Sequence, residues 1–270
     1  MNIKLVILGI VLIAYLFQPD SQKTRKSLIF LVCLLFTIES GLRGIDVGND
    51  TSAYYFSFYD IINTQWFDIL SALYRDSSEV RDPGFAVVVK AIGCIIPSWQ
   101  IYCLISASFL YVSVGRLWNK YIDTRLGILF ATILWLSLFD IIALSGMRQM
   151  LTTAIAFYLI PYVEKKSWII VIPTVLIGSL IHISLLFFLA FLPLSFVPIK
   201  LYKKLLLLSI LLVPVIGLFS QQIMTFMVNS MENDYYQGYA VVAEGAKGYT
   251  YVILCTFLSV FILFNYRYLK

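Results

Sequence analysis

Apolar residues run almost unbroken along this chain, divided by short charged stretches. The long runs fall at about 4–18, 27–42, 98–115, 126–144, 150–163, 167–181, 183–196, 205–220 and 249–265. Each reads as a membrane helix. A full span needs about 20 residues, so the shorter runs imply a thinned bilayer or polar ends sunk below its surface. No repeat, low-complexity tract or linker separates them, and the pattern predicts one membrane domain over residues 1–270. A further apolar segment, Phe85 to Ile96, is short, carries Lys90 and stops at Pro97. It is expected to be a re-entrant or interfacial helix, with Lys90 snorkelling to the head groups.

Composition sharpens this picture. The chain of 270 residues is 60% hydrophobic and 13% charged, with a mean hydropathy of +0.88. Soluble domains carry roughly 25% charged residues, and a soluble chain of this kind would aggregate. Met1 to Gln18 has Lys4 before an apolar stretch but no small-residue cleavage site, and reads as a retained first span. The four cysteines, Cys33, Cys94, Cys103 and Cys255, lie inside apolar segments and show no metal-ligand spacing. The fold class is therefore all-α: a polytopic integral membrane protein of about nine to ten transmembrane helices, with two larger extracytoplasmic loops at 43–84 and 221–248.

Charge sets the orientation. Five short connections are basic: Lys23/Arg25/Lys26, Arg116/Lys120/Arg125, Lys165/Lys166, Lys200/Lys203/Lys204 and Arg267/Lys270. All five are cytoplasmic at once if the N-terminus is outside, nine spans follow, and the C-terminus is cytoplasmic. The two long connections then lie outside, with ten acidic residues against four basic ones. The net charge of +5 belongs to inward-facing loops and implies no nucleic-acid partner.

Polar residues outside the basic loops carry the candidate chemistry. "GLRGIDVGNDTSAYY", Gly41 to Tyr55, sets Arg43, Asp46, Asn49 and Asp50 among glycines, which reads as a turn folded tightly against the membrane surface. "EVRDPGF", Glu79 to Phe85, adds a second turn. In "SGMRQM", Ser145 or Gly146 can cap a helix whose first turn holds Arg148 and Gln149, the makings of an anion site. Arg148 can instead meet lipid phosphate or pair with Asp140, and Asp140 is equally open to a functional or a structural reading. His182, the only histidine, sits at an outer turn and can act as a base or contact a phosphate. Tyr54, Tyr55, Phe56, Phe58 and Tyr59, with Tyr235, Tyr236 and Tyr239, suit an interface belt or stacking on sugar rings. No Walker loop, dinucleotide fingerprint, G-x-S-x-G or Cys/His metal set is present in the sequence.

In this order the motifs resemble the EpsG/Wzy family of bacterial polysaccharide polymerases. Arg43, Gly48, Asp50 and Tyr54 match an R-x-x-x-x-G-x-D-x-x-x-Y stretch; Arg148-Gln149 match an R-Q pair opening a later helix; His182 and Ser184 match H-x-S. The likeness covers residues 39–190. The family runs longer beyond the second external loop than this chain does. The resemblance implies transfer of a growing glycan from undecaprenyl diphosphate to the non-reducing end of a lipid-linked repeat unit, at the outer face of the bacterial inner membrane. Arg43 and Arg148 would meet the diphosphate, with Gln149, Tyr54 and Asp46 as further substrate contacts. Asp50 or His182 would serve as base, without metal or other cofactor. A chain-length regulator and a flippase are the implied protein partners. Two other readings remain open: a transporter of lipid-linked oligosaccharide, disfavoured by one-sided polar residues and the lack of repeats, and a non-catalytic subunit of an export complex.

Overall fold

The computed structural model describes residues 3–19, 21–72, 82–194 and 196–197, with six isolated positions between 201 and 222. Apart from those isolated positions, the spans expected at 205–220 and 249–265 and the second external loop lie outside the described residues. By contact the chain divides into two compact units, residues 1–195 and 196–270; the first holds the elements below. Among the described residues the structure is helical, without strands.

Two helices cover the N-terminal runs: α1, Ile3–Phe17, and α2, Gln22–Gly41. Ser21 starts α2 with a capping box, its hydroxyl accepting from the Thr24 amide at 3.2 Å. The long loop expected from Arg43 is partly helical, with α3 at Thr51–Asn63 and α4 at Trp66–Ser71. Next come α5, Pro83–Ile95, with Pro83 in its first turn, and α6, Trp99–Tyr121. At 23 residues, about 35 Å, α6 exceeds the ~30 Å hydrocarbon layer. Among the described residues it is the helix long and apolar enough to span alone.

The run 126–144 is one helical rod with a flaw: α7, Arg125–Leu134, a π turn over Trp135–Phe139, and α8, Asp140–Ser145. After a break at Gly146 come α9, Met147–Glu164, and α10, Trp168–Ser179. The run at 183–196 starts as a 3-10 helix rather than an α-helix, over Ile183–Ala190, followed by the short α11, Phe191–Leu194. Over so short an apolar run, residue type does not separate a period of 3.0 from one of 3.6.

At the centre stands α6, packed between α2 and α9. Leu28, Val32 and Phe36 of α2 meet Ala107, Leu110 and Tyr111 of α6 and Met150 and Ala154 of α9 in one buried core. Phe36, Tyr111 and Trp135 stack there with centroids 5.3–6.2 Å apart. A smaller core of Leu159, Val171, Val175, Leu185 and Phe188 joins α9, α10 and the 3-10 helix.

Long-range polar contacts sort the helix ends into two groups. At one end Arg25 donates to Asn119 and to the Ile122 carbonyl, and Arg125 to the carbonyls of Tyr15 and Gln18. Lys120 pairs there with Glu164. At the other end Lys4 lies 2.5 Å from Asp140, and Gln100 donates to the Arg43 carbonyl at 3.3 Å. Asp140 thus pairs with Lys4 rather than Arg148, and Glu39 is buried within electrostatic range of both. The π turn takes up an extra residue and re-phases the faces on either side of it; Asp140, immediately after it, is 1% exposed.

The starts of α5 and α6 both lie at this second end, through Asp82 (described below) and Gln100, so α5 leaves and returns on one side. It packs on α3. Lys90 does not snorkel: it is buried and donates to the Ile62 carbonyl at 2.5 Å. That carbonyl belongs to the last turn of α3, where a cation complements both the unpaired acceptor and the helix dipole.

Gly48 has φ +87°, and a Cβ there would stand 2.3 Å from the Leu144 carbonyl oxygen. Gly48→Ala is therefore expected to lower stability by at least about 2 kcal/mol. Gly44→Ala, with nothing within 4 Å of the added carbon, should leave the melting temperature of the purified protein unchanged.

Candidate functional site

The break between α8 and α9 leaves carbonyls at the end of one helix and amides at the start of the next without helical partners. Residues 43–51 supply the missing groups on the carbonyl side. Arg43 donates to the Ala143 carbonyl at 2.7 Å and the Ser40 carbonyl at 3.0 Å, and its guanidinium also contacts the Met147 sulfur. Thr51 donates to the Leu144 carbonyl at 3.0 Å and also contacts the Val47 carbonyl. The Asn49 amide donates to the Ser145 hydroxyl at 3.2 Å. Arg43 is 3% exposed, so this arginine pins the turn to the broken helix and stands beneath the surface.

With that turn fixed, α3 starts beside the break. Asp50 is its N-cap but makes no side-chain cap bond, and both Asp50 and Asp46 are exposed. Tyr54 follows Asp50 by four residues, on the same face of the helix. Its hydroxyl accepts from Arg148 Nε at 3.1 Å. Arg148 stands second in α9, with Gly146 as N-cap, and Gln149 is exposed next to it. The Gln149 side-chain oxygen lies 2.8 Å from where a Gly146 Cβ would be, so the amide folds back over the glycine.

Asp82 completes the cluster. The Gly84 amide donates to the Leu180 carbonyl at 2.9 Å, and a Cβ on Gly84 would stand 2.6 Å from the Leu180 carbonyl carbon. This backbone contact ties the start of α5 to the turn after α10, where His182 sits in extended conformation before the 3-10 helix. The Asp82 carboxylate thereby reaches both neighbours: it bonds Arg148 NH1 and stands 3.8 Å from His182 Nδ1. Phe85 and Tyr54 flank the guanidinium, with centroids 5.9 and 5.4 Å from its carbon.

Burial pushes the Asp82 carboxyl up, but the neighbouring His182 imidazole and the Arg148 guanidinium outweigh it and hold the group below the ordinary carboxylate range. Arg148 and Asp82 are 23% and 11% exposed, so the pair is shielded yet open to a ligand from one side. His182 Nδ1 is buried without a hydrogen-bond partner, ready to close the remaining gap to Asp82.

Of the residues singled out in the sequence, the structure brings Tyr54, Arg148 and His182 into one cluster, with Asp50 and Gln149 on its rim. Arg43 is separate and buried, and Asp46 is exposed on the turn. Asp82, within the Glu79–Phe85 turn, joins the cluster although its sequence position alone does not single it out. Its signal was the Asp-Pro-Gly helix start, which sets an acidic side chain at the head of an apolar segment. The preceding Arg81 lies outside the described residues.

Asp82→Asn is expected to cost about 1–3 kcal/mol, since it leaves a half-buried guanidinium without its carboxylate. The pair also sets a pH dependence. A carboxyl whose folded pKa lies below its unfolded value of about 4 stabilises above that value and loses this contribution as pH falls through the folded pKa. The melting temperature of the wild type should therefore fall more steeply below pH 4 than that of Asp82→Asn. Equal slopes would mean the two groups are not coupled.

The EpsG family profile matches residues 26–270. No curated protein and no solved structure matches the chain.

Proposed function

As the chain belongs to the EpsG family, and with it to the membrane proteins of polysaccharide polymerisation, we propose that it transfers a growing glycan from undecaprenyl diphosphate to the non-reducing end of a lipid-linked repeat unit. The observation that carries this reading is Asp82 held between Arg148 and His182 at the start of α9. One carboxylate organises a cation for a leaving diphosphate and an imidazole for an attacking hydroxyl.

The donor diphosphate would meet Arg148 and the unpaired amides of the first turn of α9, where cation and helix dipole favour negative charge. The acceptor hydroxyl oxygen attacks the anomeric carbon of the donor sugar, and the bond from that carbon to the diphosphate oxygen breaks. The diphosphate leaves as an anion, so Arg148 serves it better than an acid would. The hydroxyl proton passes to His182 Nε2, while Asp82 orients the ring through Nδ1 and steadies the imidazolium. His182 is the better base on this geometry, and Asp50, on the rim, contacts sugar hydroxyls with Gln149. Arg43 supports the site by holding the turn that carries Tyr54.

The same reading sets the protein in the bacterial inner membrane. The helix ends bearing Asp82, Arg148 and the start of α1 face outward, and those bearing Arg25, Lys120 and Arg125 face the cytoplasm, as positive-inside bias favours. With α5 re-entrant, the nine apolar runs then give the N-terminus outside and the C-terminus inside.

Surface polysaccharide from cells carrying Arg148→Ala, resolved on a gel with membrane levels of the protein matched, tests the reading. The ladder should collapse to single repeat units, with polymer reduced about 100-fold or more. Long chains at wild-type levels would remove Arg148 from the chemistry. Lipid-linked units accumulating inside, with none at the surface, would make the protein a transporter.

A further inference from the structure

Leaving the ion cluster side by side, α9 descends from Arg148 and the 3-10 helix from His182. Between them lies an open cleft of about 230 Å³. Thr152, Thr153 and Ala156 line it from α9, and Ser184, Phe187 and Phe188 from the 3-10 helix. Helical rise sets Thr152 about 6 Å and Ala156 about 12 Å below Arg148. The cleft therefore begins one turn below the backbone of Arg148.

Its walls are mostly hydrocarbon, with the hydroxyls of Thr152, Thr153 and Ser184 among them. The Thr152 hydroxyl already donates to the carbonyls of Arg148 and Gln149, each at 3.1 Å. On the other side the threefold period of a 3-10 helix stacks Ser184 over Phe187 and Leu185 over Phe188. Both rows run along the cleft. Phe187 is 82% exposed and Phe191 48%, so one long side stands open. A volume of 230 Å³ takes roughly eight carbon-sized groups at about 30 Å³ each.

Along α9 a cationic residue is followed one turn later by a largely apolar slot, the profile of an amphiphile with an anionic head and a hydrocarbon chain. We infer that this cleft holds the first carbons of the lipid chain of a lipid diphosphate whose head group meets Arg148. The inference rests on the diphosphate reading of the site. A soluble sugar phosphate has nothing to bury there. The open side lets a chain enter sideways from the bilayer without being threaded.

The test measures binding of inorganic pyrophosphate, isopentenyl diphosphate and farnesyl diphosphate to the full chain in detergent, for the wild type, Ala156→Phe and Arg148→Ala. In the wild type, affinity should rise at least about tenfold from the five-carbon to the fifteen-carbon ligand. Ala156→Phe should abolish that gain and bind isopentenyl diphosphate as the wild type does. Arg148→Ala should weaken all three ligands. No gain in the wild type, or a gain that survives in Ala156→Phe, overturns the cleft and leaves the head-group site standing. Unchanged binding in Arg148→Ala overturns the head-group site and the inference with it. Should Ala156→Phe not accumulate, a farnesyl diphosphate bearing a photoreactive chain decides the matter on the wild type. Labelling within 152–156 or 184–191 is expected, displaced by unlabelled farnesyl diphosphate. Labelling confined elsewhere, or displaced equally by phosphatidylglycerol, assigns the cleft to another site or to a structural phospholipid and overturns the proposal.

Discussion

Backbone polar groups at helix ends cannot stay unpaired in an apolar bundle, and the site depends on how two such ends are satisfied. The first is the end of α8, where the carbonyls of Ala143 and Leu144 accept hydrogen bonds from Arg43 and Thr51. The second is the turn after α10, where the Leu180 carbonyl accepts a hydrogen bond from the Gly84 amide. Each contact satisfies a backbone group that an apolar surrounding cannot, and each brings a side chain into the candidate site. The first sets Tyr54 beside Arg148, and the second sets Asp82 between Arg148 and His182. A continuous helix through Gly146 would have no free carbonyls to recruit residues 43–51 and no free amides at the start of α9.

The two arginines illustrate how burial divides one chemistry into two tasks. Arg43 spends its donors on backbone carbonyls and is closed to solvent. Arg148 spends its donors on side chains, Asp82 and Tyr54, and keeps one side open. Side-chain partners can shift to admit a ligand, whereas carbonyls fixed in a helix cannot. The guanidinium with side-chain partners is the one to which the proposed diphosphate is assigned, and the other holds the turn beside it.

Buried charge elsewhere follows the same economy. Asp140 lies in the middle of an apolar run, where an unpaired carboxylate would cost several kcal/mol. Lys4, from the start of α1, stands beside it. Lys90 likewise meets a carbonyl at the end of α3. These contacts tie α1 and α5 to the same end of the bundle as the site, opposite the cluster of Arg25, Lys120 and Arg125.

The sequence by itself determined the class and most of the helices. Apolar run length and the bias of basic residues act locally, and α1, α2, α6, α9 and α10 follow the runs closely. The helix start at Gly146, with Arg148 and Gln149 in its first turn, was legible for the same reason: capping is a matter of adjacent residues. Only the tertiary structure decided which charges pair. Asp140 with Lys4, Arg148 with Asp82 and Arg43 with Ala143 join positions 66 to 136 residues apart, and nothing in one-dimensional spacing separates a partner at that range from a bystander. The 3-10 period of 183–190 was hidden likewise, since apolar residues in a short run fit either helix and packing against α9 and α10 makes the choice.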